Sequence, residues 1–583
     1  MVAHTDGETG EIMARLGVIE DPRLDPDPVR ARPDDVGRVE KESGNGGGGG
    51  ASPHRPRRRN GARSPVEGPI HAQFPIDSSG SMRYETDKDM TASSREDFSM
   101  HDRRLSYSRR SLLKSAAAGL SGVLMSRRVL GANSDIRIAV IGLGNKGRQH
   151  ARVFRELPGA RVVALCDIDP GRLAEQVTQF DGVFSHTDPR RILERDDVDA
   201  VVIATPDHWH ALLAVWACEA GKDVYVEKPI SHNIWEGRKI VEAAAKYQRV
   251  VQAGMQYRSD EGLQEAAEYL HQGTLGRMLW GHVVWYERRG SIGKVAPHTP
   301  DWLDYDLYCG PAPVQPLLRE KLHYDWHWVW STGTGDLGNS GIHAFDVCRW
   351  FAGYAGLPPR ALCAGGRFVV DDAGETPNTQ LTVLDYAAAP IVVEIRNLPT
   401  RTGVKWMDNM RGVREGLIFQ CEHGYFAGFR GGGWAYDNQG KRLKQFSGDG
   451  GGHHTANFIK AVRDRKPEAL NAPIREGQVS SASCHLGNLS YRLGRPAAQP
   501  AVLEAVGGFP QAGEAVRSLE KHLLANNVDL SFDRMVLGPW LTIDPETEKI
   551  TKADETTSPE SLDRANRLVR GSYRSPFIVP DNV

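Results

Sequence analysis

A doubly wound parallel α/β sheet, followed by an α+β domain with an open, mainly antiparallel sheet, is the architecture this sequence predicts. Three observations carry it. From Ile136 onward, short apolar runs alternate with helical stretches and end in glycine or polar residues, the pattern of a parallel sheet with its ligand at the C-terminal strand ends. The first run stops in Gly142-Leu143-Gly144-Asn145-Lys146-Gly147. Beyond Gly262 the runs lengthen and few helices intervene, which suits antiparallel pairing.

The first run, Ile136 to Ile141, leads through the glycines into a helical stretch, Arg148 to Leu157. Strand, tight turn and helix in that order suit a dinucleotide pyrophosphate. Gly142 permits the turn, Gly144 lets the backbone approach phosphate, and Gly147 lets helix and strand pack closely. Asn145 and Lys146 complete the candidate phosphate loop, and the helix N-terminus offers unpaired N–H groups and a positive dipole end. A second run, Arg161 to Cys166, ends in Asp167, twenty residues after Gly147. A carboxylate there holds both hydroxyls of the adenosine ribose and repels a 2′-phosphate, so NAD is expected over NADP. Arg172 is near enough to soften that preference.

The rest of this Rossmann-type domain, 133–258, continues the alternation. A polar stretch passes Val183-Phe184 to a helical segment near Pro189–Arg195. Strands follow at Asp199–Thr205, Lys222–Val226 and Arg249–Ala253, separated by helices at Ala211–Ala220 and Ile234–Tyr247. The strand ends supply the remaining candidate cofactor contacts: Thr205, Pro206 and His210, then Glu227, Lys228 and Pro229, then Gln256.

Composition narrows the classes. The 583 residues exceed one ordinary core, so two domains plus extensions are expected. A formal net charge of −2 asks for neither nucleic acid nor an acidic surface as partner. The seven cysteines are scattered, without Cys-x-x-Cys, so no zinc site or disulfide framework is indicated.

Residues 1–99 are rich in Pro, Gly, Arg, Asp and Ser and lack an apolar period, so they read as a disordered extension. Residues 100–132 read differently. Ser108-Arg109-Arg110-Ser111-Leu112-Leu113-Lys114 precedes the small-residue apolar run Ser115–Met125, too short to span a bilayer. This resembles a twin-arginine export signal, which implies a folded, cofactor-loaded protein delivered to the periplasm, or a cytoplasmic one if the signal is silent. Met100 would give such a signal a short basic lead, and 1–99 would then be an upstream extension.

Four motifs carry a wider resemblance: Gly-Leu-Gly-Asn-Lys-Gly at 142–147, Ala-Thr-Pro-Asp-His-Trp-His at 204–210, Val-Glu-Lys-Pro-Ile-Ser at 226–231 and Gly-Asn-Ser-Gly-Ile-His-Ala-Phe-Asp at 338–346. The chain resembles the Gfo/Idh/MocA family, named for glucose–fructose oxidoreductase, inositol dehydrogenase and a rhizopine-catabolism protein. The resemblance implies that Lys228 contacts the nicotinamide ribose and the reacting hydroxyl. A lysine there, partly desolvated beside a cationic ring, would have a lowered pKa. It also implies a substrate and oligomerisation domain, 259–506, whose sheet face makes homo-oligomer contacts. In the family, an Asp and a His flank the reacting carbon; here Asn339 holds the Asp position and His343 the other.

Within 259–506 a helix is expected near Leu263–Gly273, and strands at Met278–Tyr286, Ala361–Val370, Gln380–Tyr386, Ile391–Arg396 and Gly416–His423. Helices follow at Thr455–Arg465 and Ile474–Leu493, and 507–583 reads as a less regular tail. Asn339 and His343 share a face at the start of a helix expected over Ile342–Phe351. Asp336, three residues earlier, is the nearest acid to stand in for the missing carboxylate, and a helix N-terminus would favour neutral imidazole. Trp326, Trp328 and Trp330 alternate and would share a face if extended, either for core packing or against sugar rings. His323 with His327, and His208 with His210, lack an acidic third ligand, so no metal is expected.

These readings converge on an NAD(P)-dependent oxidoreductase acting on a carbinol carbon of a sugar, polyol or sugar derivative. In it His343 serves as base, Lys228 polarises the oxygen, and Asn339 positions it. Two alternatives stay open: a glycosidase working by transient oxidation and elimination on bound NAD, and a non-catalytic dinucleotide or sugar sensor. No stable membrane span is expected.

Overall fold

The computed structural model describes residues 135–531, 535–553 and 558–583. The extension read over 1–99 and the export segment 100–132 lie outside them. In the first domain, β1 (Ile136–Ile141) runs into α1 (Asn145–Glu156), and the unit repeats through β2 (Ala160–Cys166), α2 (Pro170–Val177), β3 (Phe184–His186) and α3 (Arg190–Leu193). β4 (Ala200–Ile203), α4 (Asp207–Glu219), β5 (Asp223–Val226), α5 (Ile234–Lys246) and β6 (Val251–Ala253) complete it. All six strands are parallel, in the order β3-β2-β1-β4-β5-β6. The winding reverses between β1 and β4, and a crevice opens at their C-terminal ends.

Both faces of this sheet are covered, which is why residues 138–141, 200–203 and 224–226 of β1, β4 and β5 read as unbroken apolar runs rather than alternating ones. Ala139, Ile141, Val201, Ile203 and Val224 point into one core with Leu212 and Ile240 of the covering helices. Ile138, Val140, Val202 and Tyr225 point into the other, where Phe154 of α1 meets Phe458 and Val462 from a later helix.

The second domain opens with α6 (Glu261–His271), β7 (Met278–Tyr286), α7 (Tyr305–Cys309) and α8 (Ile342–Phe351). β8 (Arg360–Gly366), β9 (Thr379–Asp385), β10 (Ile391–Arg396) and β11 (Glu415–Cys421) follow, then β12 (Gly424–Phe429), β13 (Gly432–Asp437) and β14 (Arg442–Ser447). α9 (His454–Asp464) and α10 (Ile474–Leu493) come next. The main path of the sheet is β14-β13-β12-β11-β7-β10-β9-β8, and only the β7–β10 pair is parallel. The mainly antiparallel sheet expected from the sequence is therefore present. It is longer than expected, because β12–β14 were not read from the sequence.

The tail departs further from expectation. After β15 (Arg495–Ala497) and α11 (Gln499–Ala505), residues 507–583 form α12 (Pro510–Ala525), β16 (Met535–Leu537), β17 (Leu541–Ile543), β18 (Ile550–Ala553) and α13 (Pro559–Arg570) instead of an irregular segment. β16 and β17 both pair with β8 and extend the sheet. The reason for the order is burial. Val283, Trp285, Val393 and Ile395 face the interior shared with α8 and α10. Leu362, Leu381, Val383 and Val392 face the opposite way, and α12 covers them with Ala512, Val516, Leu519 and Leu523.

The tryptophan stretch is not extended either. Asp325–Trp328 is a 3-10 turn, so the three indoles diverge. Trp326 lines the dinucleotide cleft, Trp328 is buried under Arg367, and Trp330 faces a separate cavity. All seven cysteines are buried free thiols. Among the described residues no helix is long and apolar enough to cross a membrane.

Candidate functional site

The crevice at β1 and β4 is built around the glycine turn. Gly142 adopts φ +87°, and a Cβ there would lie 2.6 Å from the Ala204 carbonyl. A Cβ on Gly147 would lie 1.7 Å from the Gly142 carbonyl, so α1 can seat on the end of β1 only with glycine at that point. α1 starts at Gly144 with no side-chain cap and no acid in its first turn. Its leading N–H groups are therefore available to an anion. These features fit a pyrophosphate.

Gly142, Gly144, Asn145, Lys146, Asp167, Thr205, Pro206, His210, Glu227 and Lys228 all line this cleft. Asp167 is buried; its Oδ2 accepts from the Leu143 N–H at 2.5 Å and its Oδ1 from the Asp169 N–H at 2.8 Å. Burial raises its pKa. It ties β2 to the glycine turn and keeps a lone pair on each oxygen for a ribose. An Arg172 nitrogen lies 3.7 Å from where a Gly144 Cβ would stand, so a cation flanks the same place.

Other predicted residues are placed differently. Gly147 and Pro229 sit behind the lining. His210 staples two strand ends, with Nδ1 2.7 Å from the Pro229 carbonyl and Nε2 2.9 Å from the Thr205 carbonyl. Gln256 corrects the sequence reading: it lies outside the cleft lining, because the 3-10 turn Gln256–Ser259 carries the chain away and packs its carbonyl against Gly451. Glu227 is a buried anion whose Oε1 lies 2.8 Å from His150 Nε2. Burial alone would raise its pKa, but Lys146, His150 and Lys228 hold it well below the usual carboxylate range.

Lys228 is where the two domains meet. It follows β5, and its Nζ donates to the Asn339 backbone carbonyl at 2.6 Å and lies 3.4 Å from Asn339 Oδ1. Burial lowers its pKa, against the pull of Glu227 and Asp207. Asn339 lines the cleft from a single π-helical turn, Leu337–Gly341, that runs directly into α8. His343 therefore has no free helix N-terminus beneath it. It is buried between Tyr257 and Trp285 and is absent from the cleft lining. Burial first, then Lys228 and Lys146, hold its imidazole neutral, and its Nδ1 has no hydrogen-bond partner.

Asp336 is a second correction, since it does not pair with His343. Arg289 Nε donates to its Oδ2 at 3.1 Å and Asn397 Nδ2 to the same oxygen at 2.8 Å. Asn339 Nδ2 donates to Oδ1 at 3.2 Å. Burial would raise its pKa, but Arg289 and His327 bring it below the ordinary value. Its effect on the cleft runs through Asn339, whose amide it orients.

One group escaped the sequence reading. Asp207, inside the Thr-Pro-Asp-His motif, is 1% exposed, lines the cleft and accepts from Thr334 Oγ1 at 2.7 Å. Burial raises its carboxyl to about 7, against the Thr334 hydrogen bond and Lys228. An acid between a strand end and a helix start was the available signal; Thr334, flanked by glycines, gave none.

The cleft has the donor set of a dinucleotide site and is walled on one side by a second domain, which defines the class: a two-domain dinucleotide-binding protein. Residues 136–255 match the family model of the oxidoreductase family NAD-binding Rossmann fold, and residues 280–374 match that of its C-terminal alpha/beta domain. These two stretches carry the two domains of the Gfo/Idh/MocA oxidoreductase family, the first of them its NAD-binding domain.

Among curated relatives, inositol 2-dehydrogenase 4 of Saccharopolyspora erythraea is 38% identical over 26% of this chain and 45% of its own length. A glycosyl hydrolase family 109 protein of Shewanella pealeana is 28% identical over 34% of this chain and 51% of its own. The chain spans about half the length of the curated relatives it matches. Among solved structures, the WlbA dehydrogenase from Bordetella pertussis, in complex with NADH and UDP-GlcNAcA, is 20% identical with a TM-score of 0.46, covering 61% of this chain and 97% of that one.

Proposed function

We propose that this protein is an NAD-dependent oxidoreductase acting on a carbinol carbon of a sugar, polyol or sugar derivative. The observation that carries the reading is the meeting of Lys228 with Asn339, across the domains, in the same cleft as the glycine turn and Asp167. Bound NAD would supply the hydride acceptor. The chain supplies binding and proton handling. Gly142 to Gly147 and the start of α1 take the pyrophosphate, and Asp167 takes the adenosine ribose. The Lys228 ammonium donates to the substrate oxygen, with Asn339 fixing that oxygen's place. The neutral imidazole of His343, with an orphaned Nδ1, receives the hydroxyl proton.

The test is incubation of the full chain with NAD and a panel of polyols, aldoses and their derivatives, read at the absorbance of reduced nicotinamide. Net reduction is the expected result. The glycosyl hydrolase family 109 relative favours a second reading, transient oxidation followed by elimination; glycoside cleavage without net change in nicotinamide would establish that one instead.

We also propose export by the twin-arginine route, supported by Arg109-Arg110 before the apolar run. Replacing both with lysine should hold the protein in the cytoplasm. For self-association we propose the part of the large sheet that α12 leaves uncovered, β11–β14, with light scattering as the test.

A further inference from the structure

A second cavity, of about 670 Å³, lies behind the wall that separates it from the dinucleotide cleft. His208 and Thr334 form that wall, and the next residue or side chain on its far side is Asp207. Its volume falls within the range of small-molecule sites. None of the residues assigned above to cofactor or substrate lines it.

Two helices build its polar side. α10 presents His485, Asn488 and Arg492 at three- and four-residue spacing, hence on one face. α13 brings Arg564. Among the described residues the Arg492 guanidinium makes no hydrogen bond or ion pair; it lies over the Trp330 ring, 5.1 Å from its centroid. Arg564 donates to the Arg492 carbonyl at 3.4 Å and has no carboxylate within ion-pair distance among the described residues. Burial lowers the Arg492 pKa and Arg564 adds to that, against the attraction of Glu375.

Glu375 attracts Arg492 from across the cavity, but no carboxylate among the described residues forms an ion pair with either guanidinium. Glu375 spends its Oε2 on the Trp330 N–H at 2.7 Å. Burial raises the Glu236 carboxyl to about 7. Burial also holds His208 and His485 neutral, at about 4. Asn488 donates its Nδ2 to the Thr334 carbonyl at 2.7 Å, yet its Oδ1 is buried with no partner. An unfilled acceptor asks for a hydroxyl, and two unpaired guanidiniums ask for an oxyanion.

We propose that this cavity binds a polyhydroxylated oxyanion, a sugar carboxylate or a sugar phosphate, with Arg492 and Arg564 on the anionic group and Asn488 on a hydroxyl. The shared chemistry is an oxyanion on a sugar-sized frame, and the two sources differ only in that group.

The test is calorimetry on the full chain, with glucuronate, glucose 6-phosphate, inorganic phosphate and glucose as probes. At least one of the two sugar anions should bind, and whichever is tighter names the source. Glucose and inorganic phosphate should each bind more weakly than that anion by roughly tenfold or more. Arg492→Gln and Arg564→Gln should each weaken the sugar anion by a similar factor, and the double variant should abolish binding. NAD titration of each variant must match the parent, which verifies folding; Arg564, exposed on its helix, is the variant that tolerates change. Absence of sugar-anion binding, equal binding of inorganic phosphate, or binding that survives in the double variant would overturn the proposal. No turnover enters any readout, so the outcome is independent of whether the oxidoreductase reading holds.

Discussion

Asp207→Asn isolates one charge in the cleft while keeping its shape. The side chain is 1% exposed, and its Oδ2 accepts from Thr334 Oγ1 at 2.7 Å, a hydrogen bond an asparagine oxygen can keep. Burial moves the carboxyl from 3.8 to about 7. At 1.36 kcal/mol per pKa unit, ionising Asp207 in the folded chain therefore costs on the order of 4 kcal/mol relative to the unfolded chain. The sign follows from proton binding. The folded chain keeps a proton that the unfolded chain releases near pH 4, so the group's contribution is full below about pH 4 and is lost as pH rises through about 7. Asparagine never ionises. The variant should gain stability over the parent as pH rises from 5 to 8, by roughly 2–4 kcal/mol, the attraction to Lys228 being already contained in the shift. Urea unfolding of the NAD-free full chain across that range, followed by tryptophan fluorescence, measures it. A difference that does not change with pH, or a loss that grows with pH, would show that Asp207 is ionised and paired in the folded cleft.

Three other outcomes are expected. Lys228→Ala and His343→Ala should each lower turnover by roughly 10²-fold or more with NAD binding kept, and the double variant should fall well short of the product of the two; near-full activity in His343→Ala would place the base elsewhere, with Asp207 next in line. Gly147→Ala puts a Cβ 1.7 Å from the Gly142 carbonyl, so α1 and β1 must part by more than 1 Å; an overpacking loss of about 1–3 kcal/mol and much weaker NAD binding in calorimetry should result. Asp167→Ser should narrow or invert the NAD preference, since it removes the ribose acceptor and leaves Arg172 beside the site; unchanged discrimination would refute the assignment.

What could be read from the sequence was what local pattern determines. β7, β10, α8 and α10 fall on the expected residues, because each is a continuous run of a length suited to its type, set off by glycine, proline or polar residues at its ends. β12–β14 were missed because glycine reads as a breaker, whereas here it permits close strand approach. Gly432, at φ +107°, would put a Cβ 2.2 Å from the Phe446 carbonyl of the adjacent strand. α12 was missed because its apolar stripe has meaning only against Val383 and Val392, more than a hundred residues earlier. In the site, the motif residues landed in the cleft, but their partners did not announce themselves. Asp336 lies three residues from Asn339 and seven from His343, and spacing alone could not show that Arg289 and Asn397 would claim it.

The dependence of the large sheet on α12 also has a consequence in time. β10 leaves the ribosome about 110 residues ahead of α12. At ~5–20 residues per second, the strip made by Leu362, Leu381, Val383 and Val392 waits on the order of 5–20 seconds without its cover. During that interval the nascent chain presents a broad apolar sheet face, a surface that holding chaperones bind and that a neighbouring nascent copy could capture. Truncation before Pro510 would make that interval permanent, so chains cut there should aggregate even though every residue of the dinucleotide cleft is intact.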